Sequence, residues 1–190
     1  VIPINNLLLK IKFIIMKKIK QLGTIAFLAL GLSFGSCSSD DSGDSTGGVA
    51  ADGTITASVD GNSITTLNAA TIALKTGNLL NVSGSTMTGE SITMVISKFT
   101  GNGTYNVITG NDLGAVFTYT KIDLNNPQST NNTWYAPLDG NTGTSGTITV
   151  TESTDQKVKG TFSFKGVNDL GTYKNVTNGS FNVNFTQQAQ

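Results

Sequence analysis

The sequence predicts an all-β fold, a single antiparallel β-sandwich or barrel-like domain of about ten short strands over residues 53–190. Apolar and polar residues alternate with a period of two in one segment after another, and clusters of Gly, Asn and Asp separate these segments. This alternation places apolar side chains on one face of a pleated strand, as in antiparallel sheets with one solvated face. No segment of this region shows the apolar spacing of an amphipathic helix.

Five segments carry the alternation most clearly. In chain order they contain Ile55, Ala57 and Val59; Ile92, Met94 and Ile96; Ile148 and Val150; Phe162 and Phe164; and Phe181, Val183 and Phe185. The phenylalanines are the predicted major contributors to the core, since burying one gains about 1.5 to 3 kcal/mol. Gly160, two residues before Phe162, predicts a bulge or the entry to a strand.

Six clusters of turn-forming residues lie between the apolar segments. They are Asp60-Gly61-Asn62, Thr76-Gly77-Asn78, Gly101-Asn102-Gly103, Gly110-Asn111-Asp112, Asp139-Gly140-Asn141 and Asn178-Gly179. Gly and Asn adopt positive φ at little cost, so these clusters predict the turns of hairpins.

The N-terminal segment has the layout of a cleavable lipoprotein signal. Lysines follow Met16, then residues 22–34 carry no charge, and small residues precede Cys37, which is the only cysteine. This apolar run of 13 residues is short of the roughly 20 that span a bilayer. We therefore expect residues 16–36 to be a signal peptide, residues 1–15 to be an upstream translation extension, and Cys37 to carry the lipid.

Residues 37–52 are rich in Ser, Asp and Gly, with no apolar side chain from Ser38 to Gly48, and they predict a flexible linker. The Ser and Asp residues directly after Cys37 resemble the signal that sends Bacteroidota lipoproteins to the cell exterior. A linker that is merely solvated is the alternative. The expected location is the outer membrane, on the exposed side.

Charge divides the chain at the same place. Five lysines and no acidic residue precede Cys37. Residues 37–190 hold seven lysines and twelve acidic residues, a net charge of −5. These seven lysines are scattered, and the chain has no Arg and no His. A nucleic-acid partner is therefore not expected, because it would require a basic surface.

The residue types present limit the chemistry. Without His, Arg or a second Cys, the chain cannot build Ser–His or Cys–His nucleophiles or His/Cys zinc sites. No catalytic residue, metal site or cofactor is predicted. A hydrolase that uses carboxylates alone, such as a glycoside hydrolase, is the alternative. Turn roles are the simpler interpretation of the acids, which include Asp60, Asp112, Asp139, Glu152 and Asp155.

Trp134 and Tyr135 are the predicted ligand contacts, because this aromatic pair follows the long polar segment 125–133. Exposed, the pair could stack on sugar rings or anchor a protein partner. The alternative is that Trp134 is a large core residue of a strand that ends near Pro137.

The C-terminal part resembles an uncharacterised family of Bacteroidota surface lipoproteins, a domain of unknown function. The residues that carry the resemblance are Gly146 to Glu152, Lys157 to Phe164 and Thr177 to Phe181, with Ala57 to Gly61 as an opening strand. The resemblance implies a β-sandwich-like lipoprotein domain with no established activity. The expected function is a non-enzymatic binding or accessory module at the cell surface, with a glycan or an outer-membrane protein as its partner.

Overall fold

The computed structural model describes residues 49–108, 114–123, 125–126, 129–136 and 144–186. The predicted signal peptide, Cys37 and most of the predicted linker lie outside these ranges, as do the turns predicted at 110–112 and 139–141. At the start of the described part, Ala50 is buried and its carbonyl accepts a hydrogen bond from Asn182. The folded part therefore includes the last residues of the segment predicted as a linker.

The described residues form eleven β-strands and two short 3₁₀ helices, and no α-helix. The strands are β1 (Thr54–Val59), β2 (Asn62–Thr65), β3 (Thr71–Thr76), β4 (Leu79–Ser85), β5 (Glu90–Ile96), β6 (Gly103–Ile108), β7 (Ala115–Lys121), β8 (Thr133–Ala136), β9 (Thr144–Ser153), β10 (Lys157–Val167) and β11 (Tyr173–Asn184). The 3₁₀ helices span Asn68–Ala70 and Thr130–Asn132. The all-β prediction is confirmed, and each of the five alternating segments lies in or reaches into a strand. In β11 the alternation fails, because Ser180 and Asn182 are buried beside Phe181 and Val183, and Phe185 follows the end of the strand.

All eleven strands belong to one curled antiparallel sheet that forms a half-barrel. The order across it is β2-β1-β11-β10-β8-β7-β5-β4-β3, and β9 and β6 branch from it because β9 pairs with the first part of β10. The curl brings β3 to the end of β11, where the Thr186 N–H donates to the Ala73 carbonyl at 2.9 Å.

The concave face holds the core. Its largest fully buried side chains include Tyr119, Phe117, Phe181, Ile55 and Leu80. A small gap between Leu80, Met94, Ile148 and their neighbours leaves no room for a water molecule. The core of the described residues is thus filled by side chains at this point.

Two predicted turns have other roles. Asn178 and Gly179 lie inside β11, where the register shifts against both neighbouring strands and Asn178 has a φ of 51°. The pair forms a bulge in a continuous strand, because Asn tolerates positive φ in a bulge as well as in a turn. Residues 101–103 lead into β6, which pairs with β9 and not with β5. The bulge predicted at Gly160 is confirmed by a register shift between β9 and β10.

Candidate functional site

The strand β8 separates the two aromatic residues that the sequence singled out. Successive side chains of a strand point to opposite faces, and Trp134 is only 7% exposed whereas Tyr135 is half-buried on the convex face. The Trp134 ring lies 5.6 Å from that of Tyr119, and its Nε1 donates to the Thr172 hydroxyl at 3.2 Å. Trp134 thus occupies the position of a core residue.

Tyr135 belongs to a row of side chains that crosses three strands. It is opposite Val167 of β10, and Val167 is opposite Tyr173 of β11 on its other side. Residues directly opposite each other in antiparallel strands point to the same face. We call Tyr135, Val167 and Tyr173 the tyrosine row. Tyr173 is 52% exposed, and the Lys165 amine lies 4.4 Å from the centroid of its ring.

The tyrosine row continues across β7, β5 and β4 as a line of hydroxyl groups. Thr118 is opposite Tyr135, Thr93 is opposite Thr118, and Ser83 is opposite Thr93. All three side chains are partly exposed on the convex face. We call Ser83, Thr93 and Thr118 the hydroxyl line. The register therefore aligns tyrosine and hydroxyl side chains across six neighbouring strands.

Asn168 fixes the chain at one end of the tyrosine row. Its buried Oδ1 accepts hydrogen bonds from the Leu170 and Thr172 N–H groups, at 3.1 and 2.8 Å. Its Nδ2 donates to the Asn131 carbonyl at 2.6 Å. Asn168 thus ties the β10–β11 turn to the segment that enters β8. Its role was not predicted from the sequence, although an Asn three residues before a Gly is an ordinary turn signal.

Several carboxylates of the described residues have structural partners, among them Asp60, Glu152 and Glu90. Asp60 accepts hydrogen bonds from the Lys174 amine at 2.7 Å and the Asn175 N–H at 2.9 Å. The bond from Lys174 is the main cause that lowers the pKa of Asp60 below its ordinary value of 3.8. Glu152 pairs with Lys159 at 2.8 Å. These contacts agree with structural roles.

Glu90, the first residue of β5, accepts a hydrogen bond from the Tyr119 hydroxyl at 2.7 Å. It also accepts one from Thr88 at 3.1 Å. Burial, followed by the bond to Glu90, raises the pKa of Tyr119 far above its ordinary value of 10.0. Tyr119 therefore remains a neutral hydrogen-bond donor, and Glu90 serves to satisfy a buried hydroxyl.

An open cleft of about 400 Å³ lies among the β3–β4 turn, the β5–β6 connection and the β9–β10 hairpin. Its lining residues are Lys75, Gly77, Asn78, Phe99, Thr100, Gly101, Ser153, Thr154 and Asp155. Asp155 is the single acid among them, whereas hydrolysis by carboxylates requires a pair. Among the described residues that line it, the cleft therefore offers no pair of acids for the hydrolase alternative.

Two features are absent from the described residues. No group of three or more His, Cys, Asp or Glu side chains in that part of the chain could hold a metal ion. No helix in the same part is long and apolar enough to cross a membrane. Cys37, the predicted lipid attachment residue, lies outside that part.

Comparison with known proteins identifies a family without a characterised activity. Neither a curated protein nor a solved structure matches the chain. One family profile matches residues 51–183, which is more than half of the chain and nearly all of its folded part. The resemblance to a domain of unknown function, predicted from the strand motifs, is thereby confirmed. The chain belongs to the family described as Domain of unknown function (DUF6252).

Proposed function

We propose that this chain is a binding module of the outer membrane, anchored by a lipid on Cys37, exposed at the cell surface and not catalytic. The partner would be a glycan or an outer-membrane protein. Support for the anchor comes from the sequence, where Cys37 directly follows an uncharged run and two small residues. The acidic linker after Cys37 would hold the folded domain away from the membrane.

One observation carries the binding role, namely the tyrosine row on the convex face. Tyrosine combines a large apolar ring with a hydroxyl, and aromatic residues of this kind are enriched where proteins bind partners. Tyr173 is not a residue of the hydrophobic core, because half of it is exposed. The carboxylates at Asp60, Glu90 and Glu152 already hold structural partners, which supports a role without catalysis.

The anchor is tested by expressing the full chain in a bacterium with an outer membrane and labelling the cells with an alkyne analogue of palmitate. We expect a labelled protein whose intact mass corresponds to a chain that begins at Cys37 and carries acyl groups. The Cys37→Ser variant should take up no label and keep its leader. A wild-type chain with an unmodified thiol would contradict the anchor.

Surface exposure is tested on the same cells with an added protease that does not cross the outer membrane. We expect the intact cells to lose the folded domain, whereas a periplasmic marker protein stays whole. If the domain resists the protease until the outer membrane is permeabilised, the module faces the periplasm and the proposed location is wrong.

A further inference from the structure

We propose that the tyrosine row and the hydroxyl line together form a binding site for an extended, uncharged glycan that lies across the strands. This inference rests on the proposed binding role and names its ligand class. The site comprises Tyr173, Val167 and Tyr135, followed by Thr118, Thr93 and Ser83.

The spacing of the two tyrosines suits a chain of sugar rings. Tyr135 and Tyr173 flank Val167 on either side, so their backbones are two strand spacings, about 9.5 Å, apart. This distance is comparable with the length of a disaccharide unit in an extended polysaccharide. Two tyrosine rings separated by the small Val167 side chain could each contact one sugar, since the C–H face of a pyranose packs against aromatic rings.

The hydroxyl line supplies the polar half of the recognition. Each Ser or Thr hydroxyl can donate one hydrogen bond and accept others, as can each hydroxyl of a sugar. In the line, such groups recur once per strand, about every 4.8 Å. A glycan that stacks on the two tyrosines and continues past Tyr135 would therefore meet a hydroxyl at Thr118, then at Thr93, then at Ser83.

Charge favours an uncharged ligand. No residue of the tyrosine row or the hydroxyl line carries a charge at neutral pH, and the Lys165 amine is engaged over the Tyr173 ring. The chain after Cys37 carries a net charge of −5, so it would repel a polyanionic polysaccharide. A protein partner is disfavoured because the row offers one valine as its aliphatic centre, whereas stable protein interfaces bury about 800 Å² per partner around an apolar core.

The site is held in place before any ligand binds. Asn168 ties the β10–β11 turn to the segment before β8, which fixes the two tyrosine strands relative to each other. Lys165 holds one face of the Tyr173 ring, and Tyr173 as a residue stays half exposed. Side chains that are already ordered lose little entropy on binding, which favours affinity.

The experiment is affinity electrophoresis of the full chain in detergent, in native gels that contain a soluble polysaccharide. The uncharged probes are hydroxyethyl cellulose, arabinoxylan, galactomannan, dextran and soluble starch, and the anionic probe is polygalacturonate. We expect at least one uncharged probe to retard the wild-type chain. Retardation by none of them, or by polygalacturonate alone, would overturn the proposal.

Variants assign the binding to the proposed site. Tyr135→Thr and Tyr173→Thr remove a ring but keep a residue that favours strands, and each should weaken binding about tenfold or more, as expected for a central aromatic contact. Tyr135→Phe keeps the ring and should bind within about threefold of wild type. Thr161→Ala, on the exposed face of β10 away from the row, is the matched control and should bind like wild type.

The outcome is independent of the test of the anchor. If an uncharged polysaccharide binds equally well to wild type and to both threonine variants, the tyrosine row is not the site, although a surface binding module remains. Palmitate labelling and surface exposure should be the same in all these variants. If the wild-type chain takes up no palmitate label, the proposed anchor is wrong, but the proposed glycan site is unaffected.

Discussion

Phe162 lies directly opposite Gly179 on the neighbouring strand, and its ring stands 2.6 Å from the point where a β-carbon of residue 179 would be. The same relationship holds between Phe181 and Gly160, again at 2.6 Å, with the roles of the two strands exchanged. Each ring fills the space that the missing side chain leaves. In β10 and β11, each of these glycines thus makes room in the core for the phenylalanine ring on the strand opposite.

A methyl group at position 179 should disturb this packing. We expect Gly179→Ala to lower the free energy of unfolding by about 1 to 3 kcal/mol, because the Phe162 ring must move. Urea denaturation of the full chain measures the loss. In a Phe162→Leu background the same substitution should cost less, since the smaller side chain leaves room. Equal costs in both backgrounds would mean that the ring is not the cause.

Phe164 is the second test of the core. It is buried and its ring stacks on that of Phe117, with centroids 4.5 Å apart. Phe164→Ala should therefore reduce the free energy of unfolding by about 3 to 5 kcal/mol. Ser163→Ala, on the exposed face of the same strand, should stay within about 0.5 kcal/mol of wild type. If Phe164→Ala left the thermal melt unchanged, Phe164 and its strand β10 would not contribute to the core.

The bulge in β11 predicts a specific order of stability at position 178. Asn178 has a φ of 51°, which Gly adopts freely and Ala only at a cost of about 1 kcal/mol. We expect the urea midpoint to be highest for wild type, lower for Asn178→Gly and lowest for Asn178→Ala. If Ala equalled Gly, positive φ would not be the reason for Asn at this bulge.

The strands could be predicted from the sequence because a solvated antiparallel sheet imposes a period of two on its residues. Their order could not, because β9 and β8 share one side of β10 and local patterns contain no information about such a branch. The bulge at Asn178 was also beyond prediction, because Asn-Gly forms hairpin turns and bulges with the same backbone angles.

Only one of the two tyrosines of the candidate site was predicted from the sequence. Tyr135 was singled out, but alternation alone does not say which of Trp134 and Tyr135 faces the core, since that depends on the strands that pack against β8. Tyr173 was missed. It joins Tyr135 only through the register of both residues with Val167, and this pairing joins positions that are 38 residues apart along the chain.

Trp134 permits a direct optical test of its place in the core, because it is the only tryptophan of the chain. We expect its fluorescence to resist quenching by iodide in the folded protein, since Trp134 is only 7% exposed, and to become quenchable in urea. Glycan binding at the tyrosine row should leave the emission nearly unchanged, because Trp134 faces away from it. Equal quenching in both states would contradict the burial.

Asp60 predicts how stability depends on pH in the acidic range. Its folded pKa is lowered, mainly by the hydrogen bond from Lys174, so its contribution is fully present above its ordinary pKa of 3.8 and is lost as the pH falls through the folded value. Asp60→Asn keeps a residue that tolerates the positive φ at this turn. We expect urea midpoints of wild type to fall more steeply than those of Asp60→Asn below about pH 4. In a Lys174→Met background the two curves should run closer together, because the cause of the shift is gone; an unchanged difference would show that Lys174 does not hold the Asp60 carboxylate.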